Sequence, residues 1–124
     1  MRKQYHFRPS RNGFFAWDVD RLIDLSKGLE VVEFPLDQIR EIKENYWFGT
    51  GEEPTVQSIA EHLKIMAAAD LKYPILMCAE QRVMDGMHRV LKSLIAEEQV
   101  ITTKIFPETP LPDYEDVYPD DLPY

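Results

Sequence analysis

One cysteine, Cys78, stands in 124 residues, so no disulfide can form within the chain. That usage suits a reducing compartment, and a cytoplasmic location is expected. No apolar run approaches the roughly 18–20 residues that a membrane helix needs, so no membrane association is expected. The opening Met1-Arg2-Lys3-Gln4-Tyr5-His6-Phe7 lacks the apolar block of a secretory leader. His6, His62 and His88 lie far apart in the chain, with no His-x-x-x-His and no cysteine pair, so no structural metal is expected. A Walker-type loop and a Gly-x-Ser-x-Gly elbow are both missing. Basic charge is also short: 14 Lys and Arg face 22 Asp and Glu, for a net charge of −8. Sequence-independent grip on DNA needs a surplus of cations to release counterions, so DNA is an unlikely partner and nuclease or partition roles rank last. Arg2, Lys3, Arg8 and Arg11 are the obvious members of any local basic patch.

What is present fits one globular α/β domain, with a small mixed sheet flanked by helices. Hydrophobic residues make up 44% of the chain, enough for a core. Residues 1–29 read as an arm followed by a short helix over 17–27, capped by Asp18 and stopped at Gly28. Residues 30–106 form the core unit. A strand is expected over 30–34 around Val31 and Val32, ended by Pro35, with a single helical turn over 36–39. Residues 54–69 carry the clearest helix. Thr55 is its cap, and Val56, Ile59, Ala60, Leu63, Met66 and Ala67 recur as one buried face. His62 falls off that face and reads as a surface residue. Strands follow at 75–78 and 82–84, joined by a tight turn at 79–81, and a last strand covers 100–106. Cys78, in the first of that strand pair, reads as core rather than nucleophile.

Between these elements lie the segments that could carry chemistry. Asn45-Tyr46-Trp47-Phe48-Gly49-Thr50-Gly51 sets three aromatics beside two glycines. Such rings can fill a core edge, or line a ligand pocket and stack on a base, and the two readings are compatible. Asn45, Trp47 and Thr55 are the expected pocket-lining residues. Asp85-Gly86-Met87-His88-Arg89 joins a strand to a helix striped with Met87, Val90, Leu91, Leu94 and Ile95. Glycine followed by the unpaired N–H groups of a new helix makes an anion cradle. Gly86 admits a phosphate without a Cβ in the way, with Met87 beside it in the turn. His88 can contact an oxyanion or move a proton. Arg89 offers a fixed fork, or an ion pair to a nearby carboxylate. Asp85 either caps the helix or orients His88, meets a magnesium ion or accepts a proton.

The stretch Val83-Met84-Asp85-Gly86-Met87-His88-Arg89, with the helix and strand after it, resembles the ParB/sulfiredoxin-like superfamily. The likeness extends back through Tyr73-Pro74-Ile75-Leu76 and the 54–69 helix to Glu33-Phe34-Pro35-Leu36-Asp37-Gln38-Ile39, covering about residues 31–106. It implies a small α/β domain whose turn binds nucleotide phosphates, ATP or CTP, with Mg2+ where catalysis occurs. Sulfiredoxins place a cysteine where this chain has Met87. ParB proteins carry Gly-Glu-Arg-Arg, where Met87 and His88 replace the glutamate and the first arginine, and no helix-turn-helix pattern follows. Free-serine kinases of the superfamily carry a turn like Asp-Gly-His-His-Arg, the nearest of the three. That likeness implies an ATP-dependent phosphotransferase on a small molecule, with Asp85, His88 and Glu44 (or Glu41) as the catalytic set. The alternative is a non-catalytic nucleotide-sensing or protein-interaction module.

Residues 107–124 hold six acids and no Lys or Arg, so the remainder of the chain is close to neutral. Their prolines and lack of periodicity deny this tail a helix or a core of its own. Leu111, Tyr114, Val117, Tyr118, Leu122 and Tyr124 are nevertheless too apolar for a purely solvating end. An extended tail that packs on its own domain, a second copy or a protein partner is expected.

Overall fold

Arg11-Asn12 turns the chain back on itself, and what reads as an arm is a β-hairpin. β1 (Tyr5–Ser10) pairs antiparallel with β2 (Gly13–Asp18), in register from Tyr5 opposite Asp18 to Ser10 opposite Gly13. The alternation is hard to see in the sequence because Pro9 interrupts the first strand and aromatics crowd the second. This computed structural model describes residues 2–49 and 52–124, so Thr50 and Gly51 of the two-glycine segment lie outside the described residues.

Asp18 ends β2 and caps α1 (Val19–Leu25), its carboxylate accepting the Asp20 N–H. β3 (Val32–Pro35) then leads through a short 3-10 turn at Leu36–Gln38 and a second at Arg40–Lys43. α2 (Val56–Ala68) follows, and β4 (Ile75–Met77) and β5 (Val83–Asp85) form the expected hairpin. α3 (Met87–Ile95) and β6 (Val100–Ile105) complete the core. The central sheet has the order β3-β6-β4-β5; β6 and β4 are parallel and the other two pairings antiparallel. The result is the expected small α/β domain, a sheet flanked by helices.

Side chains alternate across β4 and so divide the core in two. Ile75 and Met77 join Phe34, Val83, Met87, Val90 and Ile101 on the α3 side. Leu76 and Cys78 join Trp17, Leu22, Met84 and Phe106 on the other. Cys78 is fully buried, as a core residue should be.

The acidic tail lies on its own domain. β7 (Tyr114–Val117) adds to the edge of β2, making a second sheet of order β1-β2-β7. Its backbone passes so close to Gly13 that a Cβ there would sit 2.9 Å from the Val117 carbonyl oxygen. The Trp17 indole N–H donates to the Pro110 carbonyl at 2.8 Å, and Leu122 is buried. The tail also holds one short 3-10 turn, Pro119–Asp121, which its prolines led us not to expect.

Two helices differ from the pattern. No residue of α2 is buried; Val56 is 86% exposed and Ile59 and Leu63 are also exposed. In α3 the buried set is Met87, Val90 and Ser93, while Leu94 and Ile95 face outward. Periodicity located both apolar stripes, but in α2 a different face meets the domain.

Candidate functional site

Gly86 forms the junction of β5 and α3. Its φ of +109° belongs to the region that glycine alone enters freely. An added Cβ would lie 2.6 Å from Ile75 Cγ2 and 2.9 Å from Arg89 Nη2. The glycine is therefore required twice, by its backbone angle and by the guanidinium folded over it. The Gly86 carbonyl accepts from the N–H groups of Arg89 and Val90 at 2.9 and 3.1 Å, starting the helix. Met87 and His88 are left with N–H groups that have no carbonyl inside the helix to meet. Met87 contributes its backbone here; its side chain is in the core.

Arg89 and Asp85 face one side of this junction. Arg89 Nη2 donates to Asp85 Oδ2 at 2.8 Å, and Nη1 donates to the Tyr73 carbonyl at 3.4 Å. Both residues border a pocket of about 440 Å³ between α1, the N-terminal residues and the end of the sheet. Arg2, Lys27 and Lys104 also line it, with Asp20, Ser26 and Tyr73. Lys104 is held in place by donating to the Ser26 carbonyl at 3.0 Å. Four cations thus face two carboxylates, Asp20 and Asp85, within a chain of net charge −8. Arg2 was recognisable as basic-patch material. Lys27 and Lys104 were not, because only the packing of α1 against β6 brings them together.

His88 turns to the other side and meets His62 of α2. His62 Nδ1 and His88 Nε2 are 2.9 Å apart, so one ring donates and the other accepts. Their ring centres are 5.1 Å apart and their planes lie within 19°. A separation that large, with the nitrogens this close, places both nitrogens on the line between the ring centres. The imidazoles therefore share a plane edge to edge. Trp47 stacks across both, with centroids 4.3 Å from His62 and 4.7 Å from His88. Burial lowers the His88 pKa, and the neighbouring His62 adds to the shift. His62 is thus half-buried and hydrogen-bonded, contrary to its expected place on the surface. No signal in the sequence marks it, since Ser58, His62 and Met66, the half-buried positions of that helix, do not form its apolar stripe.

The other expected site residues have local partners. Asn45 Oδ1 accepts the Phe48 N–H at 3.1 Å and shapes the turn that presents Trp47. Thr55 caps α2 in a reciprocal pair with Ser58, at 2.9 and 3.0 Å. Glu44 grips Arg82, one contact at 3.0 Å, and that hydrogen-bonded partner lowers its pKa. The structure does not bring Glu44 to Asp85 or His88. Glu41 is the buried carboxylate of this region, 3% exposed. Its Oε2 accepts the Val83 N–H at 2.7 Å and lies 3.5 Å from Arg82 Nε, while its Oε1 has no hydrogen-bond partner among the described residues. Glu41, Trp47 and Met87 share a smaller groove below the 44–48 segment.

Among the described residues, no group of three or more His, Cys, Asp or Glu side chains is placed to hold a metal ion. Nor is any helix long and apolar enough to cross a membrane. Comparison of the chain with family models, with curated proteins and with solved structures finds no match.

Proposed function

We propose that this protein binds a phosphorylated small ligand, a nucleotide such as ATP or CTP, at the Gly86 turn. The observation that carries the reading is the pocket beside that turn, which Arg2, Lys27, Arg89 and Lys104 line in a chain of net charge −8. An anion entering it would compete with Asp85 for the Arg89 fork and gain charge-assisted hydrogen bonds. Its volume, about 440 Å³, falls within the range of small-ligand sites. The resemblance of residues 31–106 to the ParB/sulfiredoxin-like superfamily points to the same turn. Any Mg2+ would arrive with the phosphates, keeping most of its waters; Asp85 and Asp20 are the carboxylates in reach of the pocket.

A binding module is favoured over a phosphotransferase. Phosphoryl transfer needs a base beside the acceptor. Glu44 is occupied by Arg82, His88 by His62, and Asp85, the pocket carboxylate of the expected set, by Arg89. Glu41 has a carboxylate oxygen to spare, yet it lines the groove under Trp47 rather than the cationic pocket. The test is thermal melting with ATP, CTP, GTP, ADP and inorganic phosphate, each with and without Mg2+. Ligands that bind only the folded state raise the melting temperature by mass action. At least one nucleotide should do so in the millimolar range or below. A flat response to all of them would overturn the proposal.

A further inference from the structure

We propose that Arg2 is the cation of the Gly86 pocket that first meets an incoming phosphate, and that Tyr124, from the acidic tail, holds it in place. The inference rests on the phosphate reading above and names a positioning residue for that same site. Of the four cations that line the pocket, three already have polar partners. Arg89 pairs with Asp85 at 2.8 Å, Lys104 donates to the Ser26 carbonyl at 3.0 Å, and Lys27 lies 3.0 Å from Asp24 Oδ1. Arg2 alone has no hydrogen bond or ion pair among the described residues. An anion can therefore meet its guanidinium with no carboxylate to displace, whereas at Arg89 it competes with Asp85.

What Arg2 does touch is a ring: its Cζ lies 4.4 Å from the centroid of Tyr124. A guanidinium over an aromatic face is attracted to the π electrons and keeps its N–H donors for other partners. Tyr124 is itself fixed. Its ring meets Tyr5 edge to face, with centroids 5.3 Å apart and planes at 87°, and its hydroxyl donates to the Pro119 carbonyl at 3.0 Å. The Tyr5 hydroxyl donates to the Pro123 carbonyl at 2.5 Å, and Leu122 is buried. These contacts seat residues 122–124 on the start of β1, beside the segment that carries Arg2. An arginine without such a seat spreads over many rotamers, and ordering it on binding reduces affinity. The ring restricts Arg2 before the ligand arrives. Binding and tail docking are thereby linked: a tail contact that strengthens phosphate binding is itself strengthened by phosphate.

The experiment is calorimetric titration of ATP into the full chain and into Tyr124→Ala, Tyr124→Phe, Arg2→Ala and the Arg2→Ala/Tyr124→Ala double variant, with Arg89→Ala alongside. Arg2 and Tyr124 are both exposed, so the variants should keep the native fold, which melting curves check. Tyr124→Ala should weaken ATP binding by about 2- to 5-fold, the factor that an exposed cation–π contact supplies. Tyr124→Phe keeps the ring and should bind as the native protein does. Arg2→Ala should weaken binding at least as much as Tyr124→Ala. Adding Tyr124→Ala to it should change nothing further, because the tyrosine acts only through the arginine. A tail residue that merely supports the fold would lower affinity by the same factor with or without Arg2. Unchanged affinity in Tyr124→Ala or in Arg2→Ala overturns the proposal, and so do independent losses in the double variant. If those variants bind as the native chain does while Arg89→Ala is weakened, the phosphate site stands and this inference alone falls. A native chain that takes up no ATP removes both.

Discussion

His6 is the residue whose chemistry depends most on where the fold has put it. It lies in β1 at 8% exposure and accepts the Arg8 Nε–H at Nε2, 2.9 Å away. Burial, with the Arg8 charge adding to it, pushes its pKa down to about 3. The unfolded chain would bind a proton there near pH 6.5, while the folded chain binds it only near 3. Folding therefore excludes a proton across that window. The stability this residue permits is present above pH 6.5 and is lost progressively as pH falls toward 3, on the order of 5 kcal/mol at most. Depressed carboxylates such as Asp18, paired with Lys3, act in the same direction. A difference measurement isolates the histidine. His6→Gln keeps an acceptor for Arg8 and cannot charge, so its melting temperature should fall less between pH 7 and 4.5 than that of the native protein. Parallel curves would show that His6 does not set the acid limit. Reading the sequence, His6 was one of three scattered histidines; nothing short of the β1–β2 register marks it as buried.

Among the elements, the tail strand β7 ties the two ends of the chain together. Arg21 donates to the Leu111 carbonyl at 2.9 Å and pairs with Asp113 at 3.1 Å. Asp116 accepts from Ser10 and from the Asn12 N–H at the β1–β2 turn, and those bonds lower its pKa. Removing residues 108–124 would expose the β2 edge and the Trp17 indole together. The truncated chain should melt at least about 5 °C lower, the shift that roughly 1 kcal/mol produces in a domain near this size. Melting that matches the full chain would show that the β2–β7 pairing adds nothing. The apolar residues of the tail announced that it packs, but its prolines concealed a strand of four residues. The hairpin and helix from β4 to α3 were more legible, because β-branched and apolar runs, a tight turn and a glycine at the helix start all agree there. The burial of α2 was misread for a physical reason. An apolar stripe shows which face seeks cover, not which neighbour the tertiary structure supplies.

In the whole molecule the candidate site is divided. Asp85 and Arg89 look toward the cationic pocket, and His88 looks toward His62 and Trp47, with Gly86 between them. Consecutive helix positions diverge by about 100°, so a motif contiguous in sequence need not converge in space. The sequence named the turn and most of its residues. It could not foresee Lys27 and Lys104, which arrive from the turn after α1 and from β6 only when the core closes. The account stands or falls on whether those cations and Arg89 hold phosphate. Calorimetric titration of ATP into the native protein and into Arg89→Ala, both at pH 7.5 and both shown to be folded, tests this directly. Loss of a charge-assisted hydrogen bond should weaken binding by about 1.5–3 kcal/mol, roughly 10- to 150-fold. Equal affinities in the two proteins, or no binding heat in the native one, would contradict a phosphate site at this turn.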